Sequence, residues 1–391
     1  MFVSIFLRPL FAVALARLAG GQLVERDGPQ PFGFFDNNVI YQPEDGKSAL
    51  YPRFVELEDG TLLVTSSLSG YSTPFFPVFE SKDGGASWSW ISNITDQVNG
   101  WGLSAQPALT ELTQPLGGYP AGTILATGNS WSDNGTRFDI YASTDGAKTW
   151  EFVSLAAEGG RPNTTNGADP VWEPYLLVYN NSLVCYYSDQ RDPLHGQKLA
   201  HQRSFDLRHW EPIINDVAYA EYARRPGMTV VTYVQPIDSW VLVYEFPGAP
   251  NITGAEYPVY YRIARNPLEF DAAAHHLLDT RRFGSAAAAS ASPYVAWSPE
   301  PAPNGTIIVS DADHSAVFTN TALGDEGFWQ VNNVSQPSSY SRAVHVFQKQ
   351  PDRLMILGAS VFNQQPGVKY PLSLSVVSLN KTLQNSWPLT E

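Results

Sequence analysis

The sequence is poor in cysteine, in basic residues and in long apolar runs, and each shortage argues against a class of protein. Cys185 is the single cysteine among 391 residues, so no intrachain disulfide can form, and its apolar surroundings predict a buried, unreactive thiol. Lysine and arginine total 24 against 38 aspartates and glutamates, which gives a net charge of −14. Because no basic tract is present, nucleic acid and anionic membranes are not expected as partners.

The N-terminal apolar run is too short to cross a membrane. Residues 1–21 contain Arg8, a mainly apolar stretch from Leu10 to Leu18 and a small-residue end, a pattern typical of a signal peptide. We therefore expect a secreted, extracellular protein whose residues 22–391 form one domain. Eight Asn-x-Ser/Thr sequons agree with secretion and are candidate glycosylation sites: Asn93, Asn134, Asn163, Asn180, Asn251, Asn304, Asn333 and Asn380.

What the sequence does contain is a repeated strand–turn–strand pattern. Six copies recur at intervals of about 60 residues, a period typical of a β-propeller with four-stranded blades. They lie at 53–65, 107–127, 173–187, 228–245, 293–310 and 342–357. Further strand-like segments at 38–41 and 372–378 predict that both ends of the chain complete the last blade. The sequence thus predicts an all-β, six-bladed propeller, with a helical turn at 271–278 and a loop at 285–292.

A second repeated mark is the Asp box, Ser-x-Asp-x-Gly-x-Ser/Thr-Trp. Ser81–Trp88 matches it, Ser143–Trp150 matches except for Ala147 at the glycine position, and Ser204–Trp210 is a shortened copy. In such a turn the aspartate and serine bind backbone groups, while the tryptophan packs between blades. We therefore interpret Asp83, Asp145 and Asp206 as residues that stabilise turns, rather than as catalytic carboxylates.

Two glutamates are the candidate catalytic residues. In a propeller, the start of the first strand and the end of the second share a face, opposite the Asp-box turns. Glu173 opens the third repeat and Glu245 ends the second strand of the fourth, each in apolar surroundings. A carboxylate there must be paired or face a cavity, and two facing carboxyls are what glycosidic cleavage needs. The alternative is that each glutamate only binds loop amides or an arginine.

Other side chains predicted on this face are candidates for substrate binding, because aromatic rings can stack on sugars and charged groups can bind hydroxyls. They are Arg53, Trp101, Trp131, Trp172, Asp189, Tyr294, Tyr340 and Arg342. The histidines lack a convincing metal-ligand spacing, and no nucleophile elbow, P-loop or dinucleotide fingerprint is present. We therefore expect neither a metal nor a cofactor.

Taken together, the Asp boxes and the segments Tyr51–Arg53, Val171–Tyr175 and Val243–Phe246 resemble glycoside hydrolase family 93 over essentially the whole mature chain. The resemblance implies a secreted exo-1,5-α-L-arabinanase with a sialidase-like propeller that cleaves linear arabinan from the non-reducing end. It implies release of arabinobiose with retention of configuration. It also implies that Glu173 is the general acid/base and Glu245 the nucleophile.

That mechanism sets expectations for charge. Glu245 should be ionised beside a positive or hydrogen-bonding group, for which Arg53, Arg342 and Tyr340 are candidates. Glu173 should have a raised pKa, from an apolar setting that Trp172 helps to supply and from the charge of Glu245.

Two other functions remain open. A sialidase would use Tyr340 as nucleophile with an arginine triad, of which Arg53 and Arg342 could supply two members. A non-catalytic glycan-binding propeller would need the aromatic residues but not both glutamates. Under each of these hypotheses the partner is an oligosaccharide or polysaccharide, and we expect a monomer.

Overall fold

The protein is a six-bladed β-propeller of 24 strands among the described residues. The structure, a computed structural model, describes residues 33–247, 249, 255–280, 288–365 and 367–385. The predicted signal peptide and the Asn251 sequon lie outside this part of the chain.

Each blade is an antiparallel four-stranded sheet. The first three blades contain β2 (Ser48–Glu56), β3 (Leu62–Ser69), β4 (Phe76–Ser81) and β5 (Ser89–Ile94); β6 (Ala105–Glu111), β7 (Ile124–Ser132), β8 (Gly135–Ser143) and β9 (Glu151–Gly159); and β10 (Val171–Val178), β11 (Leu183–Asp189), β12 (Lys198–Ser204) and β13 (Ile214–Val217). The next two contain β14 (Gly227–Val234), β15 (Ser239–Glu245), β16 (Val259–Ala264) and β17 (His275–Leu277); and β18 (Tyr294–Ser298), β19 (Thr306–Ser310), β20 (Ala316–Asn320) and β21 (Gln330–Asn333).

The sixth blade closes the ring with both ends of the chain, as predicted. Its order is β22 (Ala343–Val346), β23 (Arg353–Gly358), β24 (Leu372–Ser378) and then the N-terminal β1 (Phe35–Tyr41). The first strands of successive blades contact one another around the ring, and β22 contacts β2. Because β1 pairs with β24 by backbone hydrogen bonds, the ring closes without a covalent link.

Stacked blades bury both faces of their middle strands. Every residue of β11 is buried, including Cys185, whose thiol pKa is raised by burial. This double burial explains why the middle strands are almost continuously apolar instead of alternating. In the described part of the chain, helical structure is confined to short pieces: α1 (Leu379–Thr382) and 3₁₀ turns at Gln235–Ile237, Phe270–Ala272 and Glu326–Phe328. Among the described residues, no helix has the length and apolar character needed to cross a membrane.

Two local predictions need correction or restriction. The segment 271–278 has a helical turn only at its start, and His275–Leu277 then pairs with β16 as the outermost strand of blade four. Its alanines give a weak strand signal, and the neighbouring strand supplies the hydrogen bonds that decide the conformation. Of the predicted loop 285–292, residues 288–292 are described and are irregular apart from a bridge at Ser290.

The Asp boxes form turns between the third and fourth strands of blades one to three, as predicted. Asp145 accepts hydrogen bonds from Ser143 Oγ and from the backbone and hydroxyl of Thr149, at 2.7–2.9 Å. Ala147 replaces glycine at a φ of 65°. Trp150 Nε1 donates to Ser92 Oγ in the neighbouring blade. The boxes therefore tie blade to blade, on the face opposite Glu173 and Glu245.

The start of each blade's first strand has an irregular backbone. One residue there has a φ between 48° and 61°: Tyr51, Gln106, Glu173, Met228, Ser292 and Ser341. In the first four blades a β-bulge breaks the pairing register at this point. A bulge re-aims a side chain and leaves ladder N–H groups without strand partners. These six residues, which we call the axial ring, line one end of the central channel.

Candidate active site

Glu173 and Glu245 lie side by side, as the blade order predicts. Glu173 belongs to the axial ring at the start of β10, and Glu245 ends β15 in the next blade. Between them is Gly227: a Cβ built there would lie 3.4 Å from Glu173 Oε2 and 3.5 Å from Glu245 Oε1. The two oxygens are therefore at most about 7 Å apart, which is within the range of paired glycosidase carboxyls and below most of the inverting range.

Bulged strands fix the Glu173 carboxylate. Its Oε2 accepts from Met228 N at 2.8 Å and from Ser188 Oγ at 2.7 Å. The backbone N–H of Glu173 itself donates to Gln106 Oε1 at 2.9 Å. Two axial-ring side chains, those of Gln106 and Glu173, thus accept the N–H that the bulge in the next blade leaves free.

Glu245 is held in a similar way from the following blade. Its Oε2 accepts from the axial-ring residue Ser292, through the backbone N–H, at 2.8 Å. Among the described residues, no donor is within hydrogen-bonding distance of Glu245 Oε1, the oxygen that faces Gly227. One oxygen is therefore fixed and the other is available to react.

Burial dominates the electrostatics of this pair. It raises the pKa of Glu173, against the opposing effects of Ser188, Met228, Arg225 and Arg53. Burial and the neighbouring Glu173 together raise the pKa of Glu245 to about 8. Two carboxyls so close cannot both ionise easily, so their two protons are lost in separate steps. The raised pKa of Glu173 has the expected direction. The raised pKa of Glu245 contradicts the expectation that this carboxyl is ionised, because burial and the neighbouring Glu173 outweigh its one backbone donor.

A cavity of about 440 Å³ opens above Glu245. Its wall includes Asp313, Tyr257, Tyr340 and Phe362. The side chains combine apolar ring faces with polar edges, which suits a sugar ring. Glu245 therefore lies at a cavity of a size that suits a sugar ring, with Glu173 on the other side of Gly227.

The cation near the pair is not one of those predicted. Arg342 is fully buried and bonds the carbonyls of Gln336 and Ala316, which lie on its own side of the ring, so it offers no surface to a substrate. Arg53 donates to Ser341 at 2.8 Å and influences Glu173, but it does not contact Glu245. The positive charge common to both glutamates is Arg225, which the sequence analysis missed.

The other predicted binding residues divide into buried and accessible sets. Asp189 is 1% exposed and forms an ion pair with Arg191 at 2.8 Å, so its position contradicts the prediction of substrate contact. Trp172 is buried, with Nε1 bonded to Gln190 at 2.7 Å and its ring edge-on to Trp131. It is therefore not placed for stacking on a substrate.

Tyr294 is also buried, with the Arg53 guanidinium 5.0 Å from its ring centre. Tyr340 lines the cavity, and Trp101 and Trp131 are half-buried. Tyr340 is therefore the predicted binding residue placed best for contact with a ligand.

The sequons lie mostly on the surface. Asn304 is half-buried, and the remaining described ones are exposed: Asn93, Asn134, Asn163, Asn180, Asn333 and Asn380.

Solved structures provide the comparison. The chain is 43% identical to a family 93 α-L-arabinofuranosidase of Fusarium graminearum solved with arabinobiose, with a TM-score of 0.86, covering 90% of this chain and 99% of that one. It is 36% identical to an α-L-arabinanase of Penicillium chrysogenum, also with arabinobiose, with a TM-score of 0.84 and the same coverage. A microbial sialidase at 12% identity and a TM-score of 0.58, covering 88% of this chain and 69% of that one, shares the fold alone. No protein-family model and no curated protein sequence matched.

Proposed function

The chain belongs to glycoside hydrolase family 93, and on that premise we propose that it hydrolyses α-1,5-linked L-arabinan from the non-reducing end, releasing arabinobiose with retention. The arabinobiose bound to two similar enzymes supports this substrate. The observation that carries the mechanism is the placement of Glu173 and Glu245 on either side of Gly227. The position of Arg342 argues against sialidase chemistry, because this candidate member of an arginine triad is bound to backbone carbonyls.

In the first step Glu173 gives its proton to the glycosidic oxygen while Glu245 Oε1 attacks the anomeric carbon. The bond to the leaving sugar breaks, and an ester forms between Glu245 and the arabinosyl unit. Esterification removes the negative charge of Glu245 from the pair, so the pKa of Glu173 falls. The Ser188 and Met228 donors then stabilise the Glu173 anion that the second step needs.

In the second step Glu173 takes a proton from water, whose oxygen attacks the anomeric carbon. The ester bond breaks and Glu245 leaves as a carboxylate. Two inversions give retention. The hydrogen bond from Ser292 N to Oε2 supports Glu245 as a leaving group, because it stabilises the carboxylate charge as it returns.

The test is digestion of linear, debranched arabinan with sizing of early products, together with NMR of the first anomer formed. A disaccharide as the sole early product, with the α-anomer first, supports the proposal. A ladder of oligomers would mean internal cleavage, and the β-anomer first would mean a single displacement. No hydrolysis of arabinan would remove the substrate assignment.

We also propose that the protein is secreted as a glycosylated monomer. The surface position of most described sequons supports this. N-terminal sequencing of the protein from a culture medium, the mass lost on enzymatic deglycosylation, and light scattering would test the three parts separately.

A further inference from the structure

Arg225 is a half-buried cation that binds neutral oxygens only, among the residues the structure describes. Its Nη1 donates to Asn166 Oδ1 at 2.5 Å and to the Gly196 carbonyl at 3.3 Å. Its Nη2 donates to the side-chain oxygens of Gln190 at 3.1 Å and Gln197 at 2.9 Å. Because these acceptors carry no net charge, the four bonds fix the guanidinium without neutralising it.

Gln197 lies between this cation and the two carboxyls, and its Nε2 donates to the Pro226 carbonyl at 2.8 Å. Its Oε1 accepts a hydrogen bond from Arg225. A Cβ built on Gly227 would lie 3.0 Å from Gln197 Nε2 and within 3.5 Å of an oxygen of each glutamate. Arg225 itself lies two residues before Gly227 in the chain. Its charge lowers the pKa of both Glu173 and Glu245, while burial lowers its own.

Gln190 links Arg225 to the strand that carries Glu173. The same Oε1 that accepts from Arg225 also accepts from Trp172 Nε1 at 2.7 Å. Trp172 immediately precedes Glu173. The guanidinium therefore also helps to fix the start of β10, where Glu173, the proposed acid/base, is located.

We propose that Arg225 is a positioning residue whose unpaired charge sets the pH range in which the Glu173–Glu245 pair holds one proton. This rests on the proposed function, since it assigns that pair to the reaction. Arg225 acts through electrostatics and through Gln190 and Gln197, without itself touching the reacting atoms.

Other groups that face the pair cannot replace this charge. Arg53 acts on Glu173 from the first blade, but its guanidinium is bound to Ser341 and lies against the Tyr51 ring. Asp313 faces Glu245 with the opposite sign and raises its pKa. The nearby hydroxyls of Tyr51 and Tyr340 have pKa values raised by burial, so they stay neutral.

The experiment compares pH profiles of kcat/KM on linear arabinan for wild type, R225Q, R225K and R224Q. Loss of a cation raises the pKa of both carboxyls, so both limbs in R225Q should move to higher pH by on the order of one unit. R225K keeps the charge but loses the planar guanidinium, so the two limbs of its pH profile should stay in place while its kcat/KM falls. R224Q is the matched control, because Arg224 is already paired with Glu221 at 2.8 Å and its profile should not move.

A second variant keeps the hypothesis testable if R225Q does not fold. N166D is isosteric and places a carboxylate on Nη1, so it should move the limbs in the same direction by less. The inference is overturned if wild type is active on arabinan but the R225Q or N166D limbs do not move, or if R225K moves as far as R225Q. Failure of the proposed function would look different, since wild type itself would then leave arabinan intact.

Discussion

Carboxylates occupy both ends of the blades, and their opposite environments give them opposite protonation. Asp145, in an Asp-box turn, accepts hydrogen bonds from the backbone and hydroxyl of Thr149 and from Ser143, which lower its pKa to about 2. Glu245, at the channel mouth, has one backbone donor, and burial raises its pKa to about 8. The same functional group is therefore a permanent anion in one place and a titrating group in the other.

The two environments differ because their hydrogen-bond donors come from different parts of the chain. The Asp-box turn is local, so its aspartate is bound by residues within four positions along the chain. The hydrogen bonds at the channel end are non-local, because each glutamate accepts a backbone N–H from the next blade and lies half-buried beside the other. Donor count and burial, rather than residue type, separate a structural carboxylate from a reactive one.

The largest effect that tests this contrast is expected for Glu245→Gln. Removing the nucleophilic oxygen should lower kcat on arabinan by on the order of 10⁴-fold or more, because no covalent intermediate can form. Initial rates on linear arabinan measure this. Asp145→Asn is the matched control in the other set, and it should keep kcat. Equal kcat in Glu245→Gln and wild type would reject the assignment.

Glu173→Ala should show a loss that depends on the leaving group. On arabinan, kcat should fall by roughly 10²–10⁴-fold, the usual contribution of a general acid. With 4-nitrophenyl α-L-arabinofuranoside the loss in the first step should be much smaller, since that leaving group needs little proton assistance. Parallel kinetics on both substrates check the prediction, and equal losses on the two would contradict the acid/base role.

Gly227→Ala should reduce activity while leaving the fold intact. The added methyl would lie 3.4 and 3.5 Å from the two carboxylate oxygens and 3.0 Å from Gln197 Nε2. It would push Gln197 Nε2 aside by a few tenths of an ångström and fill the space between the two carboxyls, which should lower kcat/KM by about 10²-fold. Kinetics with a thermal melt test this; an unchanged rate would show that the space between the glutamates is not used.

The smallest effect is a difference in the pH dependence of stability. The raised pKa of Glu245 means that its contribution is fully present below pH 4.5 and is lost as pH rises towards 8. The lowered pKa of Asp145 means that its contribution is present above pH 3.8 and is lost as pH falls towards 2.

Melting temperatures of E245Q and D145N across pH 2–8 measure this contrast. Relative to wild type, E245Q should gain a few degrees between pH 5 and 8, whereas D145N should lose up to a few degrees above pH 4. Parallel pH dependence in the two variants would contradict opposite protonation.

Sequence analysis predicted the local features well. The strand pairs, the closing strands at both ends and the three Asp boxes all depend on contacts between residues close in sequence or on a repeated apolar pattern. The two glutamates could be placed on one face because the blade order fixes which strand ends meet. A further signal was available, since proline follows the axial-ring residue in four repeats: Pro52, Pro107, Pro174 and Pro293.

What the sequence misjudged was long-range pairing. Arg342 and Arg225 are both arginines near strand starts, and nothing in their neighbours along the chain shows that one binds carbonyls and the other faces the glutamates. Asp189 is a different case, because its partner Arg191 is only two residues away and the burial of Asp189 at the end of β11 decided that it is inaccessible. The outer strand at His275–Leu277 depends on a partner in β16.

By itself, then, the sequence determined the blade repeat, its turns and the placement of Glu173 and Glu245 on one face, since period, turn chemistry and strand order are properties of neighbouring residues. Tertiary structure alone decided which cation those acids share and that both carboxyls titrate above their ordinary range. The physical reason is that burial and electrostatic fields come from segments in separate blades, which only the closed ring brings within a few ångströms.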